Sequence, residues 1–337
     1  MTAEGHRDVI AAVEGGSPRP TWSVMIPTFN CARHLETTLT SVLAQDPGPE
    51  HMQIDVVDDC STQDDPAEVV KRIGRGRVAF TRQPRNVGHV ANFATCLQRS
   101  RGHLVHLLHG DDAVRPGFYE TMSRPFAAPE EVGAAFCRYI SMDDDDHWQT
   151  ISGIERPSSG VLESWLEEIA VGQRLQPPCM VVRRSVYERF GGFDRRIASY
   201  GEDWEMWVRI AAHGPVWFEV APLALYRTGS ASLTAGSMRT GRNVDDIALV
   251  VDLIQAHLPP ERAHALRLEA RRVAATTALR RARRAFAAGD AEVGVAQTRA
   301  ALRVSRHPTV VADAGRTALA SGFHALERRL GRPVPAA

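Results

Sequence analysis

The sequence predicts an α/β protein, with a mostly parallel sheet flanked by helices and an α-helical annex at the carboxyl end. Three observations carry this reading. Short apolar runs rich in β-branched residues recur at 22–27, 54–59, 78–82 and 103–108, with helical-period segments between them. Strands separated by helices imply right-handed crossovers and parallel pairing. Beyond Thr240 the composition turns to Ala and Arg at helical spacing.

In chain order, WSVMIP at 22–27 opens the sheet, and Leu35, Leu39, Val42 and Leu43 follow at helical spacing. IDVVDD at 54–59 reads as a buried strand, 66–73 as a helix, 78–82 as a strand and 92–98 as a helix. The strand over 103–108 runs straight into His109-Gly110-Asp111-Asp112. A helix is expected after Pro116, whose fixed φ suits a first helical turn. A strand follows at 132–142, with further short strands at 180–183 and 216–220. Residues 202–212 read as a helix with Met206, Trp207 and Ile210 on one face. Pro259-Pro260, Gly289 and Pro308 break the last region, and 285–302 reads as one helix-turn-helix hairpin, which is not a repeat array. The expected organisation is a loose segment over 1–21, an α/β domain over 22–240 with halves at 22–130 and 131–240, and a helical region over 241–337.

The 337 residues carry 40 basic and 40 acidic side chains, so net charge gives no reason to expect nucleic acid as a partner. Lys71 is the lone lysine. Five cysteines, odd in number and without metal-site spacing, fit a reducing compartment better than a disulfide framework or a zinc site. The first twenty residues lack the apolar core of a signal peptide, and no run approaches the length of a membrane span. A cytoplasmic protein is expected. The Arg excess beyond Pro259 reads as a solvated helix face, with a peripheral contact with the inner face of a membrane, or with a protein, through the C-terminal helices as the alternative.

Ligands of open α/β sheets gather at the carboxyl ends of the strands. Here the first strand ends in Pro27-Thr28-Phe29-Asn30, the second in Asp58-Asp59-Cys60-Ser61, and the fourth in Gly110-Asp111-Asp112. One acidic pair alone fits an Asx turn or a helix cap. Two pairs and Asn30 on one sheet edge repel unless a cation or a hydrogen-bonding ligand joins them. A hard divalent ion bridging carboxylate and diphosphate oxygens meets that need.

PTFN, DDCS, RNVG, HGDD, GGFD and GEDWEMW, in this order across roughly 22–232, resemble the family-two glycosyltransferases of the GT-A fold. The resemblance implies a Rossmann-like nucleotide half and an acceptor half. It also implies inverting transfer of a sugar from a nucleoside-diphosphate donor, a UDP-sugar above others, onto an acceptor hydroxyl. By motif position, Pro27, Phe29 and Asn30 line the nucleoside pocket and Asp59 accepts a hydrogen bond from the base. Arg85, Asn86 and Gly88 match the turn that closes over the nucleotide, although Gly88 also suits any turn needing positive φ.

His109-Gly110-Asp111 stands where the family carries its Asp-x-Asp metal motif, with His109 in place of the first aspartate. The resemblance makes Asp111 the principal ligand of Mn²⁺ or Mg²⁺, with Asp112 beside it for ribose, metal orientation or a helix cap, and His109 as a further ligand or a plain polar contact. It assigns the general base to Asp203. Glu202, Asp203 and Glu205 also suit the first turn of a helix, where acids favour the macrodipole. Arg227 matches the element that reaches the donor diphosphate, but the usual following histidine is missing, the chain reading Arg227-Thr228-Gly229-Ser230. Trp204 fits either a stack on an acceptor sugar or the core. The acceptor class stays open among a saccharide such as a cell-surface polysaccharide, a lipid-linked sugar, a peptide and a small molecule.

His103, His106 and His109 recur every third residue, a spacing that points to opposite faces of a strand and so makes no metal cluster. The four aspartates at 143–146 read as a solvated, mobile loop. Gly191-Gly192-Phe193-Asp194 reads as a turn after a helix, with Gly as its cap. A sugar nucleotidyltransferase would carry a Gly-rich basic loop after the first strand, where this chain has Pro-Thr-Phe-Asn. A non-catalytic nucleotide-binding or scaffold protein of the same fold is the other alternative, and Asp59, Asp111 and Asp203 argue against it.

Overall fold

A computed structural model describes residues 3–16, 18–127, 132–197, 199–229 and 233–329. The chain runs β1 (Trp22–Thr28), α1 (Ala32–Leu43), β2 (Met52–Asp58), α2 (Pro66–Gly74), β3 (Ala79–Arg82), α3 (His89–Arg99), β4 (Leu104–Leu107), β5 (Ala113–Val114) and α4 (Phe118–Ser123). It continues through β6 (Ala134–Met142), β7 (Trp148–Ile151), β8 (Gly160–Val161), α5 (Trp165–Val171), β9 (Met180–Arg183), α6 (Arg184–Phe190), α7 (Glu202–Ala211) and β10 (Val216–Arg227). Five helices close it: α8 (Leu233–Thr240), α9 (Arg242–Leu253), α10 (Pro260–Ala288), α11 (Ala291–Val304) and α12 (Pro308–Arg329). No helix among the described residues is long and apolar enough to cross a membrane.

The chain forms two compact units. The first contains the sheet, in the order β3-β2-β1-β4-β9-β6-β10-β5, with β7 paired to β6 and β8 to β10. β1 lies between β2 and β4, parallel to both, and all seven of its residues are buried. That explains its unbroken apolar run, because a strand covered on both faces has no polar alternation. β2 pairs parallel with β3 and β6 with β10, while β9 is antiparallel to both β4 and β6.

The segment expected to be loose is anchored in this unit. Ile10 is buried, Gly192 donates to the Asp8 carbonyl at 2.8 Å, and the buried Arg184 reaches the Ala11 carbonyl at 3.0 Å. These partners lie far along the chain, so its composition alone leaves them hidden. The GGFD segment forms the expected turn: Gly191 caps α6 at φ +77°, and buried Asp194 pairs with Arg196 at 2.6 Å.

The second unit takes residues 166–173 and 197–212 together with the helices from Gly229 onward. A core of small side chains (Ala275, Ala278, Leu279, Ala300, Ala301, Val304, Val310 and Ala314) lets α10, α11 and α12 pack closely. Between α10 and α11, Gly289 at φ +89° caps one helix, and the Asp290 carboxylate accepts from Val293 N at 3.1 Å to cap the next. The hairpin expected over 285–302 is therefore present.

Candidate active site

Backbone hydrogen bonds bring the two acidic motifs to either side of the end of β1. The Thr28 carbonyl accepts from Asp59 N at 2.9 Å, and the Pro27 carbonyl accepts from Gly110 N at 3.0 Å. Gly110 is held close: a Cβ there would lie 2.8 Å from Thr28 Oγ1 and 3.0 Å from Cys31 Sγ. The buried Thr38 hydroxyl, shared between the Gly110 and Asp112 carbonyls at 3.0 and 2.7 Å, fixes the same turn from α1.

On the β2 side the motif side chains tie loops together. Asn30, at φ +50°, accepts through Oδ1 from Thr62 N at 2.8 Å and Gln63 N at 3.0 Å, and its own N–H donates to Ser61 Oγ at 2.8 Å. Asp58 is buried and takes Arg82 Nε at 2.6 Å. Asp59, 3% exposed, accepts from Val87 N at 2.7 Å and Gly88 N at 3.0 Å, so both its oxygens hold the turn that carries Arg85, Asn86 and Gly88. Burial raises the Asp59 pKa against those two hydrogen bonds. Gly88 caps α3 at φ +86°, and Arg85 and Asn86 are exposed. Pro27 is buried within β1, while Phe29 presents an exposed ring on the adjoining loop.

On the β4 side, His109, Asp111 and Asp112 each offer a ligand atom, all within 4.8 Å of one another. Asp112 is 1% exposed. One of its oxygens accepts from Arg227 N at 2.8 Å; the other, Oδ2, is buried with no hydrogen bond and lies 4.0 Å from His109 Nδ1. Burial, then the neighbouring Asp111, raises the Asp112 pKa well above its ordinary value. The His109 ring stacks on Phe93 at 5.0 Å between centroids. Two carboxylates and an imidazole form a donor set suited to Mn²⁺, and a buried carboxylate oxygen without a donor is what a cation would satisfy. The residues present therefore fit a divalent metal.

Arg227 is 4% exposed and faces the acidic motif. Its Nε donates to the Asp111 carbonyl at 2.8 Å, Nη1 to the Asp143 carbonyl, and Nη2 to the Asp146 carboxylate. The guanidinium that the motif comparison aims at a diphosphate is thus bonded to two turns of the protein itself. The 143–146 segment, expected as a solvated and mobile loop, is solvent-exposed but held in a hydrogen-bonded turn. The Asp143 carboxylate accepts from Asp145 N at 3.0 Å and His147 N at 2.9 Å, and Arg33 grips Asp145 at 2.8 Å. Arg227→Ala would leave the Asp111 and Asp143 carbonyls without this donor. We expect it to destabilise the fold by about 2–4 kcal/mol, measured by denaturant unfolding.

Asp203 lies in the second unit at the start of α7 and is 6% exposed. It accepts from Trp204 N at 2.8 Å and from Gln173 Nε2 at 2.5 Å. Burial, then Glu202, raises its pKa well above the ordinary value. Glu202, Asp203 and Glu205 do fall in the first turn of α7, and Glu205 is fully buried against Arg209 at 3.0 Å. Trp204 is a core residue, 1% exposed, donating Nε1–H to the Ile169 carbonyl at 2.6 Å. Arg33 and Thr38 in the first unit, and Gln173 beside Asp203 in the second, are bonding partners that no motif marks.

The profile of glycosyl transferase family 2 matches residues 23–191. The uncharacterized protein MT1568 of Mycobacterium tuberculosis is 31% identical over 258 residues, covering 71% of this chain and 77% of that protein. An uncharacterized glycosyltransferase, the MG025 homolog of Mycoplasma pneumoniae, is 28% identical over 123 residues, 36% of this chain and 40% of that protein. Among solved structures, S. aureus TarS 1–349 in complex with UDP-GlcNAc superposes with a TM-score of 0.63 at 13% identity, over 93% of this chain and 92% of that one. The mannosyltransferase PcManGT of Pyrobaculum calidifontis, in complex with GDP-Man and Mn²⁺, gives 0.55 at 19% identity, over 94% and 86%. At these identities the two structures establish the likeness of fold.

Proposed function

This chain belongs to glycosyl transferase family 2 and is a glycosyltransferase, and from that premise we propose that it moves a sugar from a UDP-sugar to an acceptor hydroxyl with inversion and metal assistance. The observation that carries the reading is the cluster of His109, Asp111 and Asp112 set across the end of β1 from Asp59. Mn²⁺ in the PcManGT complex and the nucleotide sugars in both structural neighbours support it. UDP is preferred on the motif resemblance.

In this reading Asp111 and Asp112 hold the metal, with His109 as a nitrogen ligand. When bound, the ion neutralises charge on the departing diphosphate as a Lewis acid. Asn30, Asp59, Arg85, Asn86 and Gly88 build the nucleoside side, with Pro27 beneath and Phe29 as an exposed ring. Arg227 acts by positioning: it holds the Asp111–Asp112 turn against the 143–146 turn. Asp203 is the base, assigned by its place in the GEDW motif. The acceptor oxygen bonds to the anomeric carbon as the bond to the diphosphate oxygen breaks. The hydroxyl proton passes to the Asp203 carboxylate, and the nucleoside diphosphate leaves.

Water substituting for the acceptor gives a test that needs no knowledge of the acceptor. With α-linked UDP-sugars and Mn²⁺, proton NMR should show the β-anomer of the free sugar released first. Initial release of the α-anomer would overturn inversion and the role of Asp203 as a lone base.

A further inference from the structure

The second unit carries a surface that the transfer reaction does not use. α11 carries Val295, Arg299 and Leu302 at spacings of four and three residues, along one helical stripe, and Arg306 follows in the loop after it. On α12, Val311 and Leu319 lie eight residues apart on a stripe of their own. Between the two helices opens a cavity of about 560 Å³ lined by Arg299, Leu302, Arg303, Arg306 and Val311. Of its apolar lining, Val311 is 49% exposed while Leu302 is half-buried against the helical core; nearby, Val295 is 40% and Leu319 75% exposed.

The charges at this groove are one-sided. Arg303 pairs with Asp245 at 2.9 Å, an exposed pair of little strength. Arg299 and Arg306 are exposed, and neither has an ion-pair partner among the described residues. On the neighbouring α10, Arg283 takes Asp313 and Arg271 takes Asp252. Arg299 and Arg306 therefore leave uncompensated positive charge beside the groove.

We propose that this α11–α12 face docks on an anionic phospholipid surface. Guanidinium groups would meet lipid phosphates while Val311 and Leu319 enter the headgroup boundary. The arginine stems suit this because they lie along apolar surface and carry the charge outward. A lipid surface fits better than an acidic peptide, because the apolar residues are spread along two helices rather than gathered into one anchoring pocket. The proposal goes beyond the transferase reading and stands without it, since it uses no residue of the site.

Co-sedimentation of the full chain with vesicles tests it. Vesicles of phosphatidylcholine with phosphatidylglycerol should bind the protein, phosphatidylcholine alone should not, and about 1 M salt should release it. The double variant Arg299→Gln/Arg306→Gln should weaken binding roughly thirtyfold. Arg299→Lys/Arg306→Lys should retain most of it, and Leu319→Asp should weaken binding through the apolar arm alone. All these side chains are exposed, so circular dichroism melting should not change; a variant that melts early is replaced by its Lys counterpart. Equal binding to both vesicle types, or a Gln variant that binds as well as the parent, would overturn the proposal. So would capture by polyglutamate with no vesicle binding, which would assign the face to an acidic protein instead.

Discussion

Asp203→Asn should lower kcat by about 10²–10⁴ while leaving donor binding intact. The substitution keeps the shape of the side chain and its acceptor oxygen but removes the carboxylate proposed to take the proton. In the parent enzyme the rate should also carry a distinctive acid limb. The active form is the carboxylate, and burial with Glu202 beside it raises the pKa well above the ordinary value. Activity should therefore fall as the pH drops through that raised pKa, at a pH above the usual carboxylate range near about 3.9. A raised pKa also makes the carboxylate a stronger base at the pH where it is ionised. Loss of Gln173, which donates to Asp203 at 2.5 Å, should move this limb further upward because the hydrogen bond favours the ionised form. A pH profile unchanged in Asp203→Asn would remove this residue from the proton transfer.

Asp111→Ala should lower turnover by about 10²–10³ and abolish the response to Mn²⁺. Unlike Asp112, Asp111 is only half-buried, and the contact that fixes its turn runs through its backbone carbonyl to Arg227. Removing its carboxylate takes away charge without dismantling the turn, so the thermal midpoint should move little. Asp112→Ala is the contrasting case. Its carboxylate accepts from the Arg227 backbone at 2.8 Å, so stability and activity should fall together. A pair of variants that behaved alike would contradict the division of labour between the two aspartates.

Much of this site was legible before the fold was known, because it depends on local pattern. Apolar runs ending in PTFN, DDC and GDD place polar groups where parallel strands finish, and the β1–β2 and β1–β4 pairings bring them to one edge. The central strand, the α10–α11 hairpin and the failure of His103, His106 and His109 to converge follow from periodicity alone. His106, for example, is buried and bonded to the Pro178 carbonyl at 3.0 Å.

What stayed hidden is which partner each polar atom takes. Asp59 spends both oxygens on the 87–88 turn, and Asn30 staples its loop to 62–63. Arg227 reaches across 116 positions to Asp111 and 81 to Asp146. Such bonds follow from tertiary neighbours, on which the spacing of residues is silent. The aspartates at 143–146 show the consequence: the run is solvent-exposed as its charge suggests, but capping by Asp143 and bonds from Arg33 and Arg227 order it beside the Asp111–Asp112 turn. The anchoring of the N-terminal segment by Arg184 and Gly192 was missed for the same reason.

The most direct test of the account is titration calorimetry of the purified protein with UDP, GDP and dTDP, with and without Mn²⁺, repeated on Asp111→Ala. The account predicts UDP binding that depends on Mn²⁺ and disappears in Asp111→Ala. Binding of equal strength without the metal, or with Asp111 removed, would contradict a metal-assisted donor site built on His109, Asp111 and Asp112.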